Sequence, residues 1–344
     1  MNFISPKLMA ATIAIIVVGL LSFQLSAQEV QQRPLKYKLH SFGLKVSDVE
    51  ASLSFYQSLF DAPVLYREGT TVYIGLGDAG EFASLSPLER GEAPAITYIG
   101  IVVNDFDIRS MEERLTASGL KESMDSADMR IGLKAAMTYW HVDADKQEAI
   151  TLSDYEGVQF QLLSENYCVD QSKLSGDCKL ENKNNKNAPM SLLGINHFTT
   201  FVANFERANA FYRSLLGIEN HMFQGNFPTL GVGDGYQFLM FVGGAQQGAP
   251  TAAANIHHVS LAVENFDVEK IQSILNSKGL KFVGSGNGVV PPLSHYVSLR
   301  MPERGGAEGG TPELYFTDPD GLRIQLQDAS YCGGGGYLGN ECKN

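Results

Sequence analysis

Phe55-Tyr56-Gln57-Ser58-Leu59 returns later in the chain as Phe211-Tyr212-Arg213-Ser214-Leu215, and Gly75-Leu76-Gly77-Asp78 returns as Gly231-Val232-Gly233-Asp234. Both matches share one offset, which holds from residues 39–78 to residues 195–234. A second set follows: Val103-Asn104-Asp105-Phe106-Asp107 returns as Val263-Glu264-Asn265-Phe266-Asp267, and Gly119-Leu120-Lys121 as Gly279-Leu280-Lys281. Tyr167-Cys168 and Tyr331-Cys332 close the two copies. Matches in a fixed order over such a length mark a duplicated structural unit. The reading is a first domain at 38–178, a polar linker at 179–192 and a second domain at 193–344. Residues 180–190 are rich in Lys and Asn, as a solvated connection should be.

Each unit divides again into two modules. Phe42-Gly43-Leu44-Lys45-Val46 alternates like a strand. Ser47 or Asp48 then offers a helix N-cap, and residues 49–60 place Leu53, Tyr56, Leu59 and Phe60 on one helical face. Short β-type runs separated by Gly and Asp follow, as at 71–76. A second strand at 96–103 and a helix near 108–118 start the process over. The aromatic pairs Phe55/Tyr56 and Phe211/Tyr212 fall on helices at core spacing and read as packing. The predicted fold class is α+β, with strand, helix and three strands in sequence four times.

The chain has 344 residues and a formal net charge of −12. Such an acidic protein lacks the Lys and Arg surface that binds nucleic acid. At the N-terminus, Lys7 precedes an apolar run over 8–23, and Gln24-Leu25-Ser26-Ala27 ends in a small residue. That pattern predicts a signal peptide at 1–27 and a periplasmic or secreted protein, free of the membrane once cleaved; an uncleaved anchor is the other reading. Four cysteines, Cys168, Cys178, Cys332 and Cys342, form two pairs ten positions apart. In an oxidising compartment this predicts disulfides Cys168–Cys178 and Cys332–Cys342. A metal site is the alternative, though C-x-x-C spacing is absent.

Val46-Ser47-Asp48 with Ser54-Phe55-Tyr56, its repeat near 202–212, and Asp318-Pro319-Asp320-Gly321-Leu322-Arg323-Ile324-Gln325-Leu326 together resemble the vicinal-oxygen-chelate superfamily of glyoxalases, extradiol dioxygenases and bleomycin- and fosfomycin-resistance proteins. The resemblance spans nearly all of the chain after the leader. It implies that paired βαβββ modules curl into two half-barrel cups. It also implies metal ligands on the opening strand of each module and on the last strand. Those places hold His197, His258 and Gln325 in the second domain, and Ser41, Tyr98 and Gln161 in the first. Gln325 stands where the family has Glu, so the set lacks a charge-balancing carboxylate. The resemblance to extradiol dioxygenases makes Tyr315 a candidate substrate-binding hydroxyl and His295 a candidate acid or base.

The other histidines carry weaker expectations. Period-two alternation should turn His257 and His40 away from the cups; His141, in Tyr139-Trp140-His141, reads as part of a rim or core aromatic cluster, with a place lining the first cup as the alternative, and His221 belongs on the surface. The run Gly333–336 has no phosphate-loop Lys after it and reads as a disulfide loop.

Two functions compete. One is an exported metal enzyme, dioxygenase-like or glyoxalase/lyase-like, using a divalent ion (Fe, Zn, Mn or Ni) in the second cup on a small oxygenated or aromatic substrate. The other is an exported small-molecule binding protein without turnover. A purely structural role leaves the paired histidines unexplained. The oligomeric state is not legible.

Overall fold

The computed structural model describes residues 36–123, 136–140, 149–169, 188–233, 235–243, 254–284, 286, 289–339 and 342. The expected signal peptide, His141 and Cys178 lie outside these residues. The first module is β1 (Tyr37–Val46), α1 (Val49–Leu59), β2 (Val64–Glu68), β3 (Thr71–Gly75) and β4 (Phe82–Pro87). The second is β5 (Ala95–Val103), α2 (Ile108–Ala117), β6 (Glu122–Ser123), β7 (Ala136–Trp140), β8 (Ala149–Ser153) and β9 (Gln159–Ser164). The third is β10 (Leu192–Phe201), α3 (Phe205–Leu216), β11 (Asn220–Gln224), β12 (Phe227–Gly231) and β13 (Phe238–Val242). The fourth is β14 (Asn255–Val263), α4 (Val268–Ser277), β15 (Lys281–Phe282), β16 (Ser294–Arg300), β17 (Thr311–Thr317) and β18 (Arg323–Gln327). This is the predicted α+β order, with a two-residue strand added after the helix in the second and fourth modules.

One local device starts all four helices. Asp48, Asp107, Asn204 and Asp267 sit in extended backbone, and each side chain accepts the N–H three residues on, from Ala51, Ser110, Arg207 and Lys270. Each cap satisfies one of the helix's orphan donors. On α1, Leu53, Tyr56 and Leu59 are buried, which is the face the spacing predicts.

In the first half the strand order is β2-β3-β4-β1-β5-β9-β8-β7-β6, with β1–β4 and β5–β9 parallel and β1–β5 antiparallel. The second half repeats it as β11-β12-β13-β10-β14-β18-β17-β16-β15. Between the two sets, the named strands share a single bridge, Ile96 with Ile256.

Reciprocal side-chain bonds tie the halves together. Tyr56 on α1 donates to Asp318 at 3.1 Å, in the Asp318-Pro319-Asp320-Gly321 turn. Tyr212 on α3 donates to Asp154 at 2.8 Å, in the matching turn of the second module. Phe55 and Phe60 lie 6.1 Å from Phe316, and Phe160 lies 4.6 Å from Tyr212. The aromatic repeat therefore packs as predicted, and its hydroxyls also lock each helix to the other half. Asp318 accepts the N–H groups of Asp320 and Leu322 as well, and burial raises its carboxyl to about 6.

A second reciprocal pair lies between β1 and β10. Gln237 accepts the Leu39 N–H at 2.8 Å and donates to the Ile195 carbonyl at 2.7 Å. Its repeat-mate Glu81 accepts the Ile195 N–H and pairs with Lys38 at 3.0 Å. Gly194, at φ +132°, leaves room for this approach, since a Cβ there would strike the Glu81 carboxylate.

Candidate metal centre

A lateral row crosses the second half. Phe238 faces His197, His197 faces Ser260, Ser260 faces Gln325, Gln325 faces Tyr315 and Tyr315 faces Tyr296. The strands β13, β10, β14, β18, β17 and β16 each supply one member. His258 stands two residues along β14 from Ser260.

Two β-bulges set the aim of the histidines. Between Ile195 and His197, β10 carries Asn196 as an extra residue against β14. Between Thr199 and Thr200, β14 carries His257 as an extra residue against β10. A bulge breaks the two-residue alternation and re-aims side chains. The extra residue can then reach the histidine that follows it. Asn196 Oδ1 lies 2.7 Å from His197 Nδ1, and His257 Nδ1 lies 2.8 Å from His258 Nδ1. Asn196 is held in turn by donating to the Tyr331 carbonyl at 3.0 Å. His257 is held by Arg323 and by stacking on Phe201, with ring centroids 4.2 Å apart. The expectation that His257 faces away fails because of its bulge. The same holds for His40, which sits at the matching bulge of β1, buried against Phe82 and Tyr167.

With their Nδ1 atoms engaged, His197 and His258 turn their Nε2 atoms toward each other at 3.4 Å. That is long for an N–H···N bond. It matches the spacing of two nitrogens bound at about 2.1 Å to one tetrahedral ion, roughly 3.4 Å. Burial, then the Arg300 charge, pushes His197 down to about 3. Burial also drives His258 well below its ordinary value, and His257, His197, Arg323 and Arg300 add to the shift. Both rings are therefore neutral near pH 7. Asn196 Oδ1 takes the His197 Nδ1 proton and leaves its Nε2 lone pair free, whereas Arg323, a donor only, makes His257 donate to His258 Nδ1 and leaves the His258 proton on Nε2, so an ion bound there would displace that proton. Gln325 is fully buried against His197, yet neither amide atom has a hydrogen-bond partner. Ser260 Oγ beside it is also without one. Buried orphans cost about 1–3 kcal/mol each, so a ligand oxygen without a partner beside two converging imidazoles fits a metal ion. No carboxylate joins the set: among the described residues, the single group of three His, Cys, Asp or Glu close enough to share an ion is His221, Cys332 and Cys342.

The carboxylate nearest in role is Glu313, which the sequence reading missed. It takes Arg300 Nε at 3.0 Å and Nη2 at 2.7 Å, the Tyr315 hydroxyl at 3.2 Å, and the Tyr331 hydroxyl. Tyr315 packs edge-on to His258 at 5.3 Å, and Tyr331 lies 5.7 Å from His197. Tyr315 thus lines the cup with its hydroxyl turned to Glu313. Burial, followed by the Glu313 charge, raises its pKa well above the ordinary value, so it is a neutral donor. A signal for Glu313 existed, since it lies two residues before Tyr315 and so on the same strand face. Its bond to Arg300 crosses strands and has no local signature.

His295 is a correction. It follows Ser294 and precedes Tyr296, which stacks on Tyr315 at 4.9 Å inside the cup. Alternation sends His295 to the helix side, where Nε2 meets Asn276 of α4 at 3.0 Å and the ring meets Phe282. It is not available to a substrate held beside Tyr315. His221, expected at the surface, is buried. Cys332 and Cys342 are joined as predicted. Cys168 is disulfide-bonded, its predicted partner Cys178 lying outside the described residues.

No family model and no curated protein matches this sequence. Solved structures do. A Mn(II)-bound glyoxalase from Novosphingobium aromaticivorans superposes with TM-score 0.56 at 14% identity, covering 86% of this chain and 85% of that one. Homoprotocatechuate 2,3-dioxygenase from Arthrobacter globiformis gives 0.56 at 15% identity, covering 85% and 80%. The Brevibacterium fuscum dioxygenase, in its anaerobic complex with 3,4-dihydroxyphenylacetate, gives 0.54 at 15% identity, covering 85% and 80%. At such identities the likeness speaks to architecture. From the duplicated βαβββ modules and these superpositions, the chain carries the vicinal-oxygen-chelate fold of glyoxalases and extradiol dioxygenases, in two tandem copies.

Proposed function

We propose that the second domain, 193–344, is the active half of a metal-dependent vicinal-oxygen-chelate enzyme, dioxygenase-like or glyoxalase/lyase-like, acting on a small oxygenated or aromatic substrate. The observation that carries this reading is the pair of buried imidazoles, Nε2 to Nε2 at 3.4 Å, beside the unpartnered amide of Gln325. His197, His258 and Gln325 would hold a divalent ion (Fe, Zn, Mn or Ni). When bound, such an ion supplies a Lewis acid that chelates neighbouring oxygens and stabilises developing negative charge. The chain's own part is positioning. Asn196 and His257 fix the rotamers of the two histidines, and the Arg300–Glu313 pair fixes Tyr315 and Tyr331 as walls. The fold neighbours, a Mn(II)-bound glyoxalase and ring-cleaving dioxygenases, support the class of chemistry.

One observation favours a binding protein without turnover. The three donors are all neutral, and the nearby carboxylate, Glu313, is committed to Arg300 and two tyrosines. Metal analysis of the purified protein separates the readings, with His197→Ala and His258→Ala beside it. Stoichiometric metal lost in both variants supports the enzyme. Metal-free protein that still binds a catechol or an α-keto hemithioacetal supports the binding module.

We also propose export through a cleaved leader at 1–27. The Cys332–Cys342 disulfide supports an oxidising compartment. N-terminal sequencing of protein from cell fractions tests it, and a mature chain retaining Met1 in the cytoplasm would overturn it.

A further inference from the structure

Cys332, next to Tyr331 in the chain, belongs to a cluster that the proposed chemistry does not use. His221, on β11, is 8% exposed, and neither of its ring nitrogens has a hydrogen-bond partner. A buried imidazole without a partner on either nitrogen is costly and calls for an explanation. A ligand atom of His221 and the sulfurs of Cys332 and Cys342 all lie within 4.8 Å of one another. Gly231, on the neighbouring strand, faces this ring; a Cβ there would stand 3.3 Å from His221 Cβ. In the oxidised chain the sulfurs are spent on each other and offer the ring little.

We infer that Cys332, Cys342 and His221 form a redox-gated metal site: once the disulfide is reduced, two thiolates and one imidazole present a Cys2His donor set to a thiophilic divalent ion such as Zn(II). The step balances with an external dithiol. One of its thiolates attacks a sulfur of the disulfide, a mixed disulfide forms, and the second thiol displaces it. The dithiol leaves as a disulfide, two electrons poorer, and Cys332 and Cys342 leave as two thiols. Binding of the ion then releases two protons. Tetrahedral binding needs the sulfurs roughly 3.8 Å apart. The Cα atoms are 6.0 Å apart, which leaves the side chains room to reach that spacing. Gly333, Gly334 and Gly336, at φ of +94°, +119° and +77°, let the chain after Cys332 pack closely against Thr229, Arg304 and Ser330, where a Cβ would clash, and this holds Cys332 beside His221. This donor set is separate from His197, His258 and Gln325 and does not depend on their role.

Co(II) is the probe, because thiolate-bound cobalt gives a near-ultraviolet charge-transfer band that nitrogen- and oxygen-bound cobalt lacks. The full chain carrying Cys168→Ser and Cys178→Ser is reduced with a dithiol, freed of it anaerobically, and titrated. The expected result is a thiolate band saturating at one site per chain after reduction, absent before it and absent in Cys332→Ser. His221→Ala should weaken cobalt binding by roughly tenfold or more, with His221→Cys restoring it. If reduction by itself unfolds the chain, stoichiometric Zn(II) must restore the native far-ultraviolet circular dichroism. Three results would overturn the inference: no thiolate band in folded reduced protein, an affinity unchanged in His221→Ala, or a reduced chain that Zn(II) fails to refold. Metal bound at His197 and His258 produces none of these thiolate signals, so the two sites fail or succeed separately.

Discussion

The two halves share one frame and differ along one row. In the second half the row reads Phe238, His197, Ser260, Gln325, Tyr315, Tyr296. In the first it reads Phe82, Ser41, Gly100, Gln161, Thr151, Thr138. His258 has Tyr98 as its counterpart, and the Tyr98 hydroxyl meets Ser84 at 3.2 Å. In the first half that bond satisfies Tyr98, while the buried Ser41 hydroxyl, like that of Ser260, has no partner. The second gathers imidazoles and leaves Gln325 and Ser260 without partners. The difference teaches that the strand order, the bulge before the row residue of the opening strand and the glutamine are common to both halves, whereas the paired imidazoles are not. What changes is the donor set: two converging imidazoles, His197 and His258, stand where the first half has Ser41 and Tyr98.

The largest test of that comparison is metal content. His197→Ala and His258→Ala should each reduce bound metal to background, while Ser41→Ala and Tyr98→Phe leave it unchanged. Elemental analysis checks this, and loss of metal in the first-half variants would break the asymmetry. Gln325→Glu should sharpen it, because a carboxylate adds the charge that the neutral set lacks; metal affinity should rise about tenfold or more in competition titrations. Asn196→Ala removes the Nδ1 partner of His197 and should weaken metal binding by about 10–100-fold, whereas His40→Ala, at the matching bulge, should leave affinity unchanged.

The tyrosine–aspartate ties between halves are symmetric, so their loss should be as well. Tyr56→Phe and Tyr212→Phe each leave a buried carboxylate short of a donor. Each should cost about 1.5–3 kcal/mol in denaturant unfolding, and a cost in one variant alone would break the symmetry. Glu81→Gln tests an asymmetric tie, since its repeat-mate is Gln237. Burial raises the Glu81 carboxyl to about 7, against the pull of Lys38 and the Ile195 N–H. An unfolded carboxyl titrates near ~4.3, so between that pH and about 7 the folded chain holds the extra proton. Stability should therefore fall as pH rises through this window. Glu81→Gln should flatten that slope and add roughly 1–2 kcal/mol above pH 7, discounted because Lys38 is half exposed. Unfolding midpoints measured from pH 4 to pH 8 check both.

Much of the fold was legible because its signals are local. The helix caps at Asp48, Asp107, Asn204 and Asp267 act within three residues of themselves. The repeat of Phe55-Tyr56 as Phe211-Tyr212 needs no structure to be seen. His197, His258 and Gln325 came from matching residues to strands, and the structure brings these three together. His295 was misassigned because the resemblance supplied a role without a face, and counting along β16 from Tyr296 would have corrected it. Asn196 and His257 were invisible for a different reason. Alternation assigns them to the outer face, and a bulge depends on pairing with a strand about 60 positions away, as His197 pairs with Ser260.

By itself, the sequence determined the duplication, the βαβββ order, the helix starts and the Cys332–Cys342 pairing, because each is written in residues near one another or in a repeated spacing. Only the tertiary structure decided the reach of Tyr56 to Asp318 and of Tyr212 to Asp154, the Glu313 hub, and the place of His221 beside the disulfide. Those rest on contacts between distant strands, whose register is set by bulges and by the packing of one half against the other, and no local pattern encodes them.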